Sequence, residues 1–425
     1  MAYPDTFYAR TLTETNLRPV LNGPIDTDTV IIGGGLAGLT TALELARAGT
    51  PVVVLESQSI GYGASGRNGG IVSPAFACGS DAIAARVGPE AARALHRLTI
   101  EGVQCLRQNI STLNITDADP IPGLLNLRRF DQSKDLHAYA EEFARDYGYH
   151  FTYLNRNAIS ERLNTTRYKH GLSDPAAFHI HPLNYLRALA REIERLGGHI
   201  YETTPAIGAD LQTTKTIRTP QGSVTARRAV FATGGYTGPL IPRLKRTVLP
   251  IATYMMLTEA APDLIASTIQ TREAVLDDRR ASDYYRLVDG GKRLLWGGRI
   301  TTRAASADGV AKELRRAMLD VYPQLAPLKT DLAWSGLMAY ARHLMPQLGQ
   351  LQPDVWHITA FGGHGLNTTA IAGKILAEAI LNQSARIQMF APFGLNWAGG
   401  PIGLAIAQLT YWGLQAQDHW RERYA

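Results

Sequence analysis

Thr29-Val30-Ile31-Ile32-Gly33-Gly34-Gly35-Leu36-Ala37-Gly38 decides how the chain begins. The β-branched run Thr29 to Ile32 suits a strand buried on both faces of a sheet. Gly33, Gly35 and Gly38 follow with G-x-G-x-x-G spacing, which removes side chains where backbone turns tightly and lies against a pyrophosphate. Leu36, Leu39, Leu43 and Ala46 recur at helical intervals, so one helix face packs back on the sheet. The first amides of that helix, around Leu36 and Ala37, point at the anion. Gly49 ends the helix, and Pro51 to Leu55 forms a second strand. Glu56, followed by Ser57, falls roughly 20 residues beyond the glycines, where a carboxylate accepts adenosine ribose hydroxyls and repels a 2′-phosphate. Strand, glycines, helix, strand and acid in register predict a dinucleotide-binding unit; a tight turn in an unrelated α/β sheet is the competing reading.

Working outward, Gly61-Tyr62-Gly63-Ala64-Ser65-Gly66-Arg67-Asn68-Gly69-Gly70 is half glycine with a single cation. A nicotinamide dinucleotide makes no demand for a second glycine-rich turn, whereas a longer one such as FAD does. Arg67 and exposed amides then neutralise phosphates, and Asn68, Gly69 and Gly70 let backbone approach a flat ring. A surface hairpin is the alternative. Val224 to Gly235 reads as two short strands split by Arg227 and Arg228, ending in a small-residue turn that brings Thr233 and Gly234 to the dinucleotide. Trp356 to Asn367 repeats the order strand, glycine-rich turn, helix start, with a helix from Thr368 to Leu381. Amides from Gly363 to Thr368 there face the pyrimidine end of a reduced flavin, where negative charge develops. His364 either points at that ring or fills the turn.

The 425 residues suffice for a large core and suggest two intertwined domains. A hydrophobic fraction of 45% and a charged fraction of 19% describe an ordinary globular chain. The formal charge of +6 is spread without a block of like sign, and neither a basic stripe with aromatics nor zinc-finger spacing occurs, which argues against a nucleic-acid partner. Cys78 and Cys105 are too few for a disulfide framework and wrongly spaced for CxxC, as expected of incidental thiols in a reducing compartment. No metal site is expected: His179 and His181 alternate, but no acid or thiolate lies near them. The start of the chain, with Asp5 and Glu14, lacks the pattern of a secretory signal, and no apolar run approaches the ~20 residues that span a bilayer. A cytoplasmic setting is expected. Contact with the inner face of a membrane stays open through Pro401 to Leu414, where Ile402, Leu404, Ala405, Ile406, Leu409 and Trp412 cluster. Oligomeric state is not legible, because an interface helix and a core helix read alike.

Between the nucleotide segments, Ile83 to Leu113 and Asp135 to Tyr147 carry helical spacing, with a turn and short strand across Pro120 to Phe130. His179 to Leu183 leads into a helix closed by Gly197-Gly198, and His199 to Glu202 resumes as a strand. Thr253 to Thr258, Ser282 to Leu287 and Arg293 to Gly298 alternate as strands of a second sheet that roofs a small-molecule pocket. Tyr284, Tyr285 and Trp296 serve either as its wall or as core. Val310 to Tyr322 is helical and stopped by Pro323. The predicted class is α/β (α+β overall). A Rossmann-like FAD-binding domain comprises 26–80, 180–240 and 331–385. The interleaved substrate domain, 81–179 and 241–330, is built on a mixed, largely antiparallel sheet, and 386–425 form a C-terminal segment and helix.

Gly33 to Gly38, Ile60 to Gly70, His179-Ile180-His181-Pro182-Leu183, Asp283-Tyr284-Tyr285-Arg286-Leu287 and Gly363-His364-Gly365 together resemble the FAD-dependent D-amino-acid-oxidase-type superfamily, and within it the γ-glutamylputrescine oxidase-like branch. The likeness covers essentially the whole chain. It implies extended FAD, with a mixed sheet over the isoalloxazine, and oxidation of an amine or an amino or imino acid to an imine by hydride transfer to flavin N5. Oxygen, a quinone or an electron-transfer partner would take the electrons onward. Residue by residue, it implies Gly33, Gly35 and Gly38 at the pyrophosphate, Glu56 at the ribose, and Ser65, Arg67, Asn68 and Gly70 along the phosphates. Ala206 would meet adenine through its backbone, and Gly365 with Leu366 the pyrimidine edge. It also implies non-covalent FAD, since the early glycine block holds neither the histidine nor the cysteine used by flavinylated members. Leu366-Asn367-Thr368 and Gly394 to Gly400 depart from the polyamine-linked pattern, which leaves a glutamylated amine and a plain amino acid both open. Arg342 and Arg286 are candidate carboxylate clamps. Arg342, His343, His364, Tyr285 and Arg286 make up the candidate catalytic set. An NAD-dependent dehydrogenase and a non-catalytic, dinucleotide-responsive binding protein are the alternatives.

Overall fold

The computed structural model describes residues 3–279, 283–302 and 306–424, so 280–282 and 303–305 of the segment 241–330, which include Ser282, and Ala425 lie outside the described residues. The first sheet runs in the order Gln347–Gln352, Val355–Thr359, Gly222–Phe231, Gly23–Ile32, Val52–Leu55, His199–Tyr201. Its inner pairings are parallel, with Val30 opposite both Ala229 and Val53. Successive side chains sort into two cores, as period-two geometry requires. Ile31, Val52 and Val54 face a layer of helices, while Val30, Ile32, Val53 and Leu55 face Ile217, Val224, Phe231 and Leu244. Burial on both faces explains the unbroken apolar run of these strands.

Helices Leu36–Arg47, Pro182–Arg195 and Gly365–Ile380 supply the helical layer. Close approach depends on missing side chains. A Cβ on Gly38 would lie 1.9 Å from the Gly33 carbonyl oxygen, and one on Gly373 would lie 2.4 Å from Thr40 Oγ1. Each fully buried leucine of this layer, such as Leu39 or Leu43, contributes roughly 1.5–3 kcal/mol.

The second sheet runs Thr330–Tyr340, Leu249–Thr258, Arg293–Thr301, Tyr284–Val288, Ala274–Leu276, Ile121–Arg128, His170–His179, Ile71–Val72. All of these pairings are antiparallel except that of Ala274–Leu276 with Ile121–Arg128. One face packs on helix Ala307–Val321 through Tyr285, Trp296, Leu314 and Met318. Helix Gly400–Tyr424 closes the chain, with Leu404 and Ala407 packed beside Leu249, Ile251, Ile300 and Tyr340. The expected mixed α/β class, with a Rossmann-like unit and a largely antiparallel second sheet, is the fold observed.

Several local expectations change. Gly222–Phe231 is one strand, not two, because Arg228 is matched by Asp28 at 2.6 Å and Arg227 reaches solvent. The helical stretch from Ile83 to Leu113 breaks at Gly88, whose φ of 85° precedes Pro89, giving helices Ser80–Val87 and Pro89–Thr112. Helix Pro89–Thr112, within the 81–179 expected as substrate domain, buries Leu95, Leu98, Val103 and Leu106 against the helical layer of the first sheet. Conversely, Ile71–Val72 and Thr330–Tyr340, expected largely within the FAD-binding domain, pair in the second sheet. Long-range pairing decides these memberships, and no local pattern encodes it.

Candidate active site

A cavity of about 1330 Å³ lies between the carboxyl ends of the first sheet and the inner face of the second. Glu56, Ser57, Pro205 and Ala206 line one part of it. Gly33, Gly35, Leu36, Ala37, Gly63, Ala64, Ser65, Arg67, Asn68, Gly69, Gly70, Thr233 and Gly234 line the middle. Gly363, His364, Gly365 and Leu366 meet the wall of the second sheet, formed by Asn126, Arg128, Thr253, Tyr284, Arg299, Met338 and Tyr340. The crevice at the carboxyl ends of parallel strands is where open α/β sheets bind ligands.

Local bonding holds the lining in place. Glu56 accepts the Gly34 amide at 2.7 Å and the Gln58 amide at 2.8 Å. Burial raises the Glu56 carboxyl above its ordinary value, and those two amides oppose the shift. Ser65 Oγ accepts the Leu36 amide at 3.0 Å, which ties the second glycine block to the first helix. Asn68 donates to Ser65 O at 2.7 Å and accepts the Gly70 amide at 2.8 Å, pinning the turn. Arg67 donates to Ser335 O at 2.9 Å and to the Tyr236 hydroxyl at 2.5 Å, both neutral oxygens, which leaves its charge available to an anion. A carboxylate, a glycine-lined helix start and this arginine follow one another along the cavity, and that donor set fits FAD.

Three of the expected cofactor contacts lie outside the lining. Gly38 is spent on packing against Gly33. Asn367 and Thr368 are buried in the first turn of helix Gly365–Ile380, where Asn367 Nδ2 donates to Ala75 O at 3.3 Å and Thr368 Oγ1 donates to His364 O.

Of the five candidate catalytic residues, His364 alone lines the cavity, and burial lowers its pKa. Tyr285 points to the opposite face of its strand, stacked on Trp296 with ring centroids 4.3 Å apart and bonded to the Tyr322 hydroxyl at 2.8 Å. Trp296 is likewise core; Tyr284 is the wall residue of the three. Arg286 is buried and spent on Gly69 O at 2.7 Å, Ile180 O at 2.8 Å, the Tyr8 hydroxyl at 2.9 Å and His179 Nδ1 at 2.9 Å. It braces the glycine block from behind and meets no substrate space. Arg342 is exposed on the turn after Tyr340, and His343 accepts the Met345 amide at 3.1 Å and packs against Phe393. Both lie outside the lining because the chain reverses after the strand ends. His179 and His181 are buried, and burial together with the Arg286 charge depresses both pKa values to about 3. Among the described residues no cluster of metal-ligating side chains occurs.

The residues that sequence reasoning missed are on the second-sheet wall. Asn126 and Arg128 alternate along Ile121–Arg128, so both turn the same way. Arg299 follows Gly297-Gly298 with a left-handed φ of 59°, a conformation that costs of order 1–3 kcal/mol and clusters at functional sites. Its Nε lies 3.4 Å from Glu313. The glycine pair before it was the available signal. Gly297 leaves room for the Tyr284 ring: a Cβ there would sit 2.2 Å from it, and one on Gly69 would sit 2.6 Å away. Burial raises the Tyr284 hydroxyl well above its ordinary value and the Tyr340 hydroxyl to about 12, the latter opposed by the Gly363 amide, so both phenols stay protonated at neutral pH.

A glycine-lined crevice at the carboxyl ends of a Rossmann-like sheet defines a dinucleotide-binding protein. Residues 28–379 match the FAD dependent oxidoreductase (DAO) family, and the chain belongs to it. Oxidation of amine and amino-acid C–N bonds is the chemistry characteristic of that family. The chain is 34% identical over 392 residues to the gamma-glutamylputrescine oxidoreductase of Escherichia coli K12, covering 92% of each. It is 32% identical over 375 residues to the probable oxidoreductase OrdL of Haemophilus influenzae, covering 85% of each. The crystal structure of glycine oxidase from Geobacillus kaustophilus superposes with a TM-score of 0.72 at 20% identity, covering 87% of this chain and 98% of that one, a likeness of fold. Membership makes FAD, in place of NAD, the dinucleotide and the protein an enzyme, in place of a sensor.

Proposed function

We propose that this flavoenzyme oxidises a small amine or amino acid that carries a carboxylate, held with its C–N bond between the Gly363 to Leu366 turn and the wall of Tyr284 and Tyr340. The observation that carries this reading is the continuity of one cavity from Glu56 to a wall bearing Arg128, Arg299 and Asn126. Arg128, Asn126 and the guanidinium of Arg299, which faces Glu313 through Nε at 3.4 Å, suit an anionic group remote from the reacting bond, while Asp277 in the same lining is matched by Arg129 at 2.7 Å. The name of the Escherichia coli relative points the same way, because a γ-glutamylated diamine is an amine with a carboxylate at its far end.

Bound FAD supplies the two-electron oxidation that turns the C–N single bond into an imine, with oxygen or another acceptor taking the electrons. The chain's own part is positioning and exclusion of water. Gly33, Gly35, Ser65 and Arg67, which line the cavity, would hold the pyrophosphate, and Glu56 the ribose. Tyr284 and Tyr340 present neutral hydroxyls and ring faces that keep solvent from the substrate carbon. An amine must be neutral before its α-carbon yields a hydride. Burial lowers the pKa of His364, so its ring stays neutral and does not repel the incoming cation. FAD is bound non-covalently in this reading: the glycine block from Gly61 to Gly70 holds neither histidine nor cysteine, Cys78 and Cys105 are outside the lining, and His364 is the lining residue whose attachment acid precipitation would reveal.

Replacing Arg299 or Arg128 by methionine tests the substrate class. The expected result is a KM for carboxylated amines raised about tenfold or more, with uncharged amines changed less than about twofold. Equal losses on both sets would remove the anion-binding role. Acid precipitation is expected to release yellow cofactor into the supernatant; colour retained in the pellet would show covalent attachment.

A further inference from the structure

Helix Gly400–Tyr424 turns one face to the body of the molecule and leaves the other uncovered. Gln408, Tyr411 and Asp418 are buried on its inner face, whereas Ile402, Ile406 and Leu409 are 66%, 59% and 62% exposed. Their spacing puts all three on one side, and Ala405, Gly413, Ala416 and Trp420, all exposed, continue that side along the helix. Trp397, just ahead of the helix, is exposed as well. Between Arg386 and Asp418 the chain carries no charged residue. The acids that follow turn inward: Asp418 is buried and Glu422 pairs with Arg279 at 2.7 Å.

A basic turn adjoins the start of this helix. Arg243, Lys245 and Arg246 are all exposed, and Arg246 O accepts the Ala398 amide at 2.9 Å, which fixes the turn beside Trp397. From Leu211 to Thr258 no acidic residue occurs to offset them. A second copy of the chain is a poor occupant for this face. Parallel pairing would set the three cations against themselves, and antiparallel pairing would set them against His419 and Arg421. An anionic surface answers both features at once.

We propose that this face docks on an anionic lipid bilayer. Ile402, Ile406, Leu409 and Trp420 enter the boundary between headgroups and acyl chains, and Arg243, Lys245 and Arg246 bind the anionic headgroups. The helix lies in the interface and does not cross it: no helix among the described residues is long and apolar enough to span a membrane. Leu404 and Ala407, on its inner face, pack on Ile300 and Tyr340 of the cavity wall, so the lipid surface lies behind the substrate site.

Sedimentation of the full-length holoprotein with vesicles of phosphatidylcholine alone, or of phosphatidylcholine with phosphatidylglycerol, tests this. Binding to the phosphatidylglycerol vesicles is expected, weakened about tenfold or more by phosphatidylcholine alone or by high salt. Ile406→Asp, and separately the triple change Arg243→Gln, Lys245→Gln, Arg246→Gln, are each expected to weaken it about tenfold while leaving the flavin spectrum and melting temperature unchanged. Wild-type protein left in the supernatant by both vesicles would overturn the proposal. So would binding indifferent to lipid charge and to the triple change, or a dimer in light scattering that Ile406→Asp dissolves while vesicles capture nothing.

Discussion

Tyr284 and Tyr285 are neighbours with opposite fates, because alternate residues of a strand face opposite sides of the sheet. Tyr284 meets the cavity between Gly69 and Gly297; Tyr285 sits in the core against Trp296. Both were legible as strand aromatics, but the direction of the alternation was not, since it depends on which side the first sheet approaches. Gly297→Ala should push the Tyr284 ring out of place, at a cost of about 1–3 kcal/mol with a changed flavin circular dichroism. Tyr285→Phe should cost about 1–2 kcal/mol through the lost bond to Tyr322 and leave KM unaltered. Denaturant unfolding alongside steady-state kinetics separates the two. A KM change in Tyr285→Phe would place that residue in the site after all. The same contrast governs the arginines: Arg342 and Arg286 had suitable chemistry, yet solvent claims one and four neutral partners claim the other.

The glycine block between Gly61 and Gly70 is an element whose shape is enforced from outside. Arg286 grips Gly69 O and Ile180 O, and a Cβ on Gly70 would lie 2.2 Å from the same Ile180 oxygen. Arg286→Met should leave these buried acceptors unsatisfied, destabilise the fold by about 3 kcal/mol or more and weaken FAD retention. The loss of turnover should be equal for carboxylated and uncharged amines, in contrast to Arg299→Met. Flavin release measured by ultrafiltration checks the first outcome, and paired substrate kinetics the second. The strand, glycines and helix from Thr29 to Arg47 were readable because their pattern is local. The pairing of Ala274–Leu276 with Ile121–Arg128 was not, as it joins segments about 150 residues apart with no marker in either. The cavity wall that carries Asn126, Arg128 and Arg299 is therefore visible only in the fold, while the glycine-rich part of the lining is largely legible as motifs.

Across the whole molecule, buried imidazoles tie stability to pH. His179 and His181 are held at about 3 by burial and the Arg286 charge, and His96 and His357 at about 4, chiefly by burial. Unfolded histidines take up protons near pH 6.5, whereas these folded ones do so only at about 3 to 4, so acid favours the unfolded chain. Stability should be fully present above about pH 6.5 and decline as pH falls from there toward 3, with each group contributing on the order of a few kcal/mol at the acid end. Melting temperatures that stay level between pH 7 and about 5 would contradict this.

The central claim, a flavin in the crevice beside an amine-binding wall, meets its most direct test in anaerobic titration of the purified protein. γ-Glutamylated amines, N-methyl amino acids, cyclic imino acids and uncharged amines would be added while the visible flavin band is followed. Bleaching by a carboxylated amine at lower concentration than by the uncharged ones, with that preference lost in Arg299→Met, is the expected result; protein that folds without flavin, or holds it unbleached by every amine, would contradict the account.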